Sequence, residues 1–150
     1  MKTDADFMKE ALSLAQDALS TGDVPVGCVI VKEGEIISRG KNGREDRHDA
    51  TAHAEMEAIR SASQALGRWR LEDCTLYVTL EPCPMCAGAI WNARLGRVVF
   101  GASDERYGCC GSLLHFGLEG ITPFPSVTAG VLEEECRAVL GDFFRSLRKK

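Results

Sequence analysis

No apolar run in the 150-residue chain approaches the length of a membrane span. Its first residues, MKTDADFMKEALSLAQ, have neither the apolar segment nor the small-residue cleavage site of a secretory leader. A cytoplasmic protein without membrane contact is the expectation. No internal repeat, low-complexity segment or linker-like composition divides the chain, so residues 1–150 read as one domain. A chain of this length buries roughly two thirds of its unfolded surface without disulfides. Neither sign of charge dominates: 18 Lys and Arg against 22 Asp and Glu leave a net charge of −4, which gives no broad basic surface for a polyanion. Any such contact is local, and RSLRKK, from Arg145 to Lys150, is the candidate place for it. The seven cysteines are odd in number and irregularly spaced, so a disulfide framework is not expected.

The hydrophobic pattern alternates between helical and strand periods. Phe7, Met8, Ala11, Leu12, Ala15 and Leu19 recur at helical spacing, with Gly22 placed to stop the helix. VPVGCVIV and residues 36–39 read as two strands joined by a Gly-containing turn, and residues 40–50 as a polar loop. A helix is predicted from an N-cap at Thr51 through AHAEMEAIRSASQAL. LYVTL, CPMCAGAIWNA and GRVVFGA follow as strand, helix and strand, and the order β-α-β-α-β is expected from residue 74 onward. The closing segment from Val131 is a helix with three glutamates near its start and basic residues at its end.

Two short motifs carry chemistry. Cys83 and Cys86 stand three apart around Pro84, at the start of a helix where a proline is tolerated and a thiolate is stabilised. That spacing alone is open to three readings: a redox pair, part of a closed structural zinc site completed by His48, Cys109, Cys110 or His115, or part of a reaction centre. Thirty residues upstream, His53 and Glu55 form H-x-E at the start of the preceding helix. H-x-E with P-C-x-x-C is the signature of zinc-dependent nucleobase deaminases. One imidazole and two thiolates neutralise Zn²⁺ and leave its fourth position open, as in catalytic sites, where a bound water becomes a hydroxide nucleophile near neutral pH. Residues two apart on a regular helix point about 200° apart, so His53 and Glu55 must converge across the helix end.

The chain as a whole resembles the bacterial tRNA-specific adenosine deaminases of the cytidine deaminase-like superfamily. The resemblance runs in order through GDVPVGCVIV, the Asn42 loop, TAHAE, TLYVTLEPCPMCAG, GRVVFGA, GCCGSL and DFFR. It implies a three-layer α/β/α fold with a central five-stranded mixed sheet, a homodimer, one Zn²⁺ per chain, and conversion of the wobble adenosine of a tRNA anticodon stem-loop to inosine. Carried over by position, His53, Cys83 and Cys86 are the zinc ligands and Glu55 the proton shuttle. Asn42 hydrogen-bonds the target nucleoside, Ala54 lines the base pocket through its backbone, and Val24 packs on the base. Asp104 lies in the loop that contacts the sugar and its neighbours, and Arg145 in the helix end that touches the stem-loop.

Two features depart from that pattern. Pro84 stands where the tRNA branch more often has an aliphatic residue, and PCPMC is also familiar from guanine deaminases. HFGLEGITPFPS is shorter than its usual counterpart and lacks an Asn-His pair. A free-nucleobase deaminase acting on guanine or a related base is the alternative. Cys28, Cys74 and Cys136 read as packed small hydrophobes, whereas Cys109 and Cys110 read as a surface loop. Phe143 and Phe144 are expected to dock the last helix.

Overall fold

A computed structural model describes residues 1–148; Lys149 and Lys150, at the end of the expected basic terminus, lie outside the described residues. Helix α1 (Asp4–Ala18) starts at a reciprocal cap, in which Thr3 Oγ1 accepts the Asp6 N–H and Asp6 accepts the Thr3 N–H. Its stripe of Phe7, Met8, Ala11, Ala15 and Ala18 is buried. Strands β1 (Gly27–Lys32) and β2 (Glu35–Lys41) form a hairpin whose two turn residues, Glu33 and Gly34, have φ of 51° and 76°. Such a turn needs left-handed backbone at both positions, which fits the right-handed twist of the flanking strands. A 3₁₀ turn (Leu19–Thr21) follows α1, and the remaining elements are α2 (Arg44–Arg47), α3 (Ala54–Leu66), β3 (Cys74–Leu80), α4 (Pro84–Asn92), β4 (Arg97–Ala102), β5 (Ser126–Thr128) and α5 (Glu133–Arg148).

The five strands form one sheet in the order β2-β1-β3-β4-β5. β1 is antiparallel to β2 and β3, whereas β3, β4 and β5 run parallel. Parallel strands are covered on both faces, which is why β3 and β4 carry near-continuous apolar runs. Alternate residues divide between two cores. Cys28, Ile30, Leu76, Val78, Val98 and Phe100 pack with Ala54, Ala58, Ala62 and Ile90 of α3 and α4. Val29, Val31, Tyr77 and Val99 pack with Phe7, Met8, Ala11 and Cys136 of α1 and α5. The result is the expected three-layer α/β/α sandwich with a mixed five-stranded sheet.

Two glycines let the helices approach the sheet backbone. A Cβ at Gly27 would overlap the Ala11 carbonyl of α1, and one at Gly40 would overlap the Ala54 carbonyl of α3. Ser38 Oγ adds a hydrogen bond to the Ala58 carbonyl at 2.8 Å. The start of α3 is therefore fixed against β2, and this places the candidate site.

Four local expectations are corrected. Beyond residue 74 the order is β-α-β-β-α and not β-α-β-α-β: the short strand β5 follows the loop-rich segment 103–125 and precedes the last helix, with no strand after that helix among the described residues. Thr51 is not the cap of α3, since its N–H and hydroxyl both bond Asp49 Oδ1 at 2.8 Å in a turn, and the helix starts three residues later with His53 as N-cap. Within the expected loop 40–50, residues 44–47 form a helical turn. Cys109 and Cys110 are buried, not on the surface. Cys28, Cys74 and Cys136 are buried as expected. Phe143 is half-buried, but Phe144 is 42% exposed.

Candidate active site

A pocket of about 470 Å³ opens at the carboxyl ends of β3 and β4, bounded by the residues entering β1 and leaving β2 and by the amino ends of α3 and α4. In open α/β sheets this edge is the usual place for a ligand. His53, Glu55 and Cys83 stand on its wall, with Val24, Asn42 and Asp104 around them.

Both motifs use a helix start in the same way. His53 is the N-cap of α3 with extended backbone (φ −87°, ψ 151°), and Cys83 is the N-cap of α4 with φ −76° and ψ 175°. Pro84 occupies the first position of α4, where its missing N–H leaves nothing unpaired. Cys86 follows in the first turn and is buried. The difficulty with H-x-E is resolved by the N-cap: His53 lies outside the helix, so the 100° step per residue does not separate it from Glu55.

His53 Nδ1 lies 3.4 Å from Cys86 Sγ and 3.7 Å from Cys83 Sγ, and the three donor atoms all fall within 4.8 Å of one another. Among the described residues this is the one group of His, Cys, Asp or Glu side chains with metal-binding geometry. Tetrahedral Zn²⁺ with typical Zn–S and Zn–N bonds has N–S edges of about 3.6 Å, so these separations fit a zinc ion. The protein supplies three donors, not the four of a closed structural site.

Mutual hydrogen bonding and burial shift the members of the group in different directions. The Cys83 thiol is lowered to about 4, chiefly by the hydrogen bond from Cys86, with His53 also contributing against the opposing effect of burial. The Cys86 thiol is pushed far up by donating to Cys83 and by burial. The hydrogen bond with Cys83 raises His53 above the ordinary imidazole value. Glu55, only 4% exposed, is raised to about 7 by burial. A carboxyl group titrating there can give and take protons near neutral pH.

Asn42 Oδ1 accepts the Ala54 N–H at 2.9 Å, which leaves the side-chain amide NH₂ as its remaining polar group at the pocket. Ala54 itself is fully buried and is not on the pocket wall. Val24 is half-buried on the wall. Asp104 Oδ1 accepts the N–H groups of Arg106 and Tyr107 at 3.0 and 3.2 Å, so its carboxylate also shapes the turn it stands in. Arg145 is exposed, pairs with Asp142 and does not line the pocket, but the preceding Phe144 does. Pro84 is exposed and off the wall.

The sequence reading passed over Arg44, Glu81, Tyr107, Leu140 and Phe144 as wall residues. Only Glu81 and Phe144 had a local signal, as immediate neighbours of the P-C-x-x-C motif and of Arg145. The others reach the pocket by folding alone.

Comparisons with known proteins follow the same line. Residues 1–102 match the family described as the cytidine and deoxycytidylate deaminase zinc-binding region. The chain is 52% identical over 151 aligned residues to the tRNA-specific adenosine deaminase of Bacillus subtilis (strain 168), covering 100% of this chain and 94% of that protein. A solved structure from work on A-to-I editing by tRNA:A34 deaminases at the wobble position superimposes with a TM-score of 0.85 and 42% identity, over 89% of this chain and 98% of the other. A guanine deaminase structure from Bacillus subtilis is 46% identical but superimposes with a TM-score of 0.64, over 69% of this chain and 66% of the other.

Proposed function

Because the chain belongs to the cytidine and deoxycytidylate deaminase zinc-binding family, we propose that it hydrolytically deaminates the wobble adenosine of a tRNA anticodon stem-loop to inosine. The observation that carries this reading is the match, over the whole chain, to a tRNA-specific adenosine deaminase. The pocket beside Glu55 is consistent with it.

His53 Nδ1 and the sulfurs of Cys83 and Cys86 would hold one Zn²⁺ per chain, which supplies Lewis acidity toward the reacting water. The remaining work falls to the protein's own groups. A Glu55 carboxylate oxygen accepts a proton from the water and delivers it to the ring nitrogen beside the attacked carbon; it then takes a second proton from the hydroxyl on that carbon and passes it to the amino group, which leaves as ammonia while the carbon becomes a carbonyl. Asn42 offers its amide N–H to the nucleoside, while Ala54 orients that amide by occupying its oxygen. Val24 packs against the base, Asp104 faces the sugar and flanking nucleotides, and the helix end at Arg145 meets the stem-loop. A pocket of this kind takes a base splayed out of an RNA loop, since the reactive carbon is hidden in a stacked helix. Residues 1–150 act as one domain, in a homodimer, in the cytoplasm.

The alternative is deamination of a free base such as guanine, and the 46% identity to a guanine deaminase is what favours it. Pro84 does not, because its ring is exposed and away from the pocket. The test is incubation of the purified protein with an anticodon stem-loop bearing a wobble adenosine, and separately with free guanine. Inosine in the RNA, lost in Glu55→Ala, is the expected result; ammonia from guanine with unaltered RNA supports the alternative and overturns the first reading.

A further inference from the structure

Glu81 immediately follows β3, two residues before Cys83, and is 2% exposed. A carboxylate in such a place needs several donors, and one short segment provides all of them. Oε1 accepts the Asp104 N–H at 3.1 Å and the Ser112 hydroxyl; Oε2 accepts the N–H groups of Cys110 and Ser112, both at 3.0 Å. The loop also closes over the side chain. At Gly108 a Cβ would overlap the Glu81 carboxyl group, so the chain passes against the carboxylate with no room for a side chain. The Cys109 N–H donates to the Pro82 carbonyl at 2.9 Å, and the Glu81 N–H to the Ala102 carbonyl at 2.9 Å. This anchoring accounts for the burial of Cys109 and Cys110.

The segment so held contains the pocket wall formed by Ser103, Asp104, Glu105, Arg106 and Tyr107. Its start hangs from β4 and from the Asp104 N–H on Glu81; its end is gathered onto the same carboxylate at residues 110 and 112. The metal-type donors are placed by different means, namely the N-caps of α3 and α4.

We propose that Glu81 is a positioning residue for substrate: its carboxylate sets the 104–112 loop, and through it the pocket wall, at a fixed distance from Cys83. Both oxygens face N–H or O–H donors, so an amide at this position would turn an NH₂ group onto donors and release part of the loop. Losing the clamp therefore loosens the wall while the donor group of His53, Cys83 and Cys86 keeps its own supports.

The inference rests on the stem-loop reading above, and the experiment separates the two. Zinc-loaded, full-length wild type, Glu81→Gln and Gly108→Ala are compared for stem-loop deamination kinetics, zinc content and amide hydrogen exchange. The expected result for both variants is a KM raised about tenfold with kcat held within about threefold. Zinc content should equal that of the wild type, and exchange should quicken at Asp104, Cys110 and Ser112 while the amides of α3 and α4 keep their protection. A variant with unchanged KM and unchanged exchange overturns the proposal, as does loss of zinc in step with kcat, which would make Glu81 a support of the metal site. Gly108→Ala keeps the question open to measurement if Glu81→Gln does not fold. Absence of inosine from the wild type instead overturns the stem-loop reading, and the exchange pattern still decides whether the carboxylate holds the loop.

Discussion

The side-chain oxygen of Asn42 accepts the backbone N–H of Ala54 at 2.9 Å, so a residue at the end of one strand caps a helix that starts twelve residues later. His53, which holds the N-cap position, has no capping bond of its own, because its ring is turned to the cysteines. Asn42 thus frees His53 for the donor group while presenting its amide to the pocket. The two roles are separable. Asn42→Ala removes both and should destabilise the fold by about 1 kcal/mol as well as impair deamination. Asn42→Asp keeps an acceptor at a helix amino end and should fold as stably as wild type, yet lose activity for want of the N–H donor. Chemical denaturation with deamination rates on the same samples checks this; an active Asn42→Asp enzyme would leave Asn42 as a cap alone.

Glu55 is buried beside the Cys86 thiol, and an isosteric amide fits its place without carrying protons. Glu55→Gln should lower single-turnover inosine formation by about 10²–10⁴-fold. Its zinc content, measured by mass spectrometry, should match the wild type, because Glu55 is not among the three metal-type donors.

Gly40→Ala tests the contact between β2 and α3. The new methyl would meet backbone at Ala54 and Ala58, which cannot move aside as a side chain would. A loss of about 1–3 kcal/mol in urea unfolding is expected. Zinc affinity should weaken too, since the displaced helix start carries His53.

Arg97 makes two hydrogen bonds to Asp4, at 3.0 and 2.7 Å, and the Tyr77 hydroxyl donates a third at 2.7 Å. The Arg97 hydrogen bond holds the Asp4 carboxyl below its ordinary value of 3.8. With a folded pKa below the unfolded one, the ionised carboxylate stabilises the fold at all pH values above about 4, and the contribution is lost as pH falls further. Asp4→Asn should be less stable than wild type at pH 7, by about 1 kcal/mol or less because the pair is partly exposed. The difference should narrow below the ordinary carboxylate range; a gap in melting temperature that stays constant down to pH 3 would contradict it.

What was legible in the chain followed the range of the interaction. His53, Glu55, Cys83 and Cys86 stood out because each pair lies a few positions apart at a helix start, and the fold brings the donor atoms of His53, Cys83 and Cys86 within 4.8 Å of one another. The near-continuous apolar runs of β1, β3 and β4 likewise announced buried strands. Thr51 misled because a threonine before a helical run satisfies the usual pattern of a cap, while the competing acceptor, Asp49, and the true capping group, Asn42, are fixed only by the fold. The same holds for Cys109 and Cys110. Their flanking glycines look like a surface loop, and what draws them inward is a carboxylate almost thirty residues earlier. The position of β5 before α5 was hidden by its brevity, three residues with no alternation long enough to read.

For anyone transplanting substrate loops between proteins of this architecture, the consecutive residues Glu81, Pro82 and Cys83 are a shared hinge pin. A donor loop chosen by length alone would arrive without three backbone N–H groups aimed at one carboxylate and without a glycine where Gly108 passes it. The recipient would then bury an anion with too few partners, next door to a metal-type thiol. Successful grafts should carry their own acidic residue with them, or replace Glu81 by a neutral residue together with the loop.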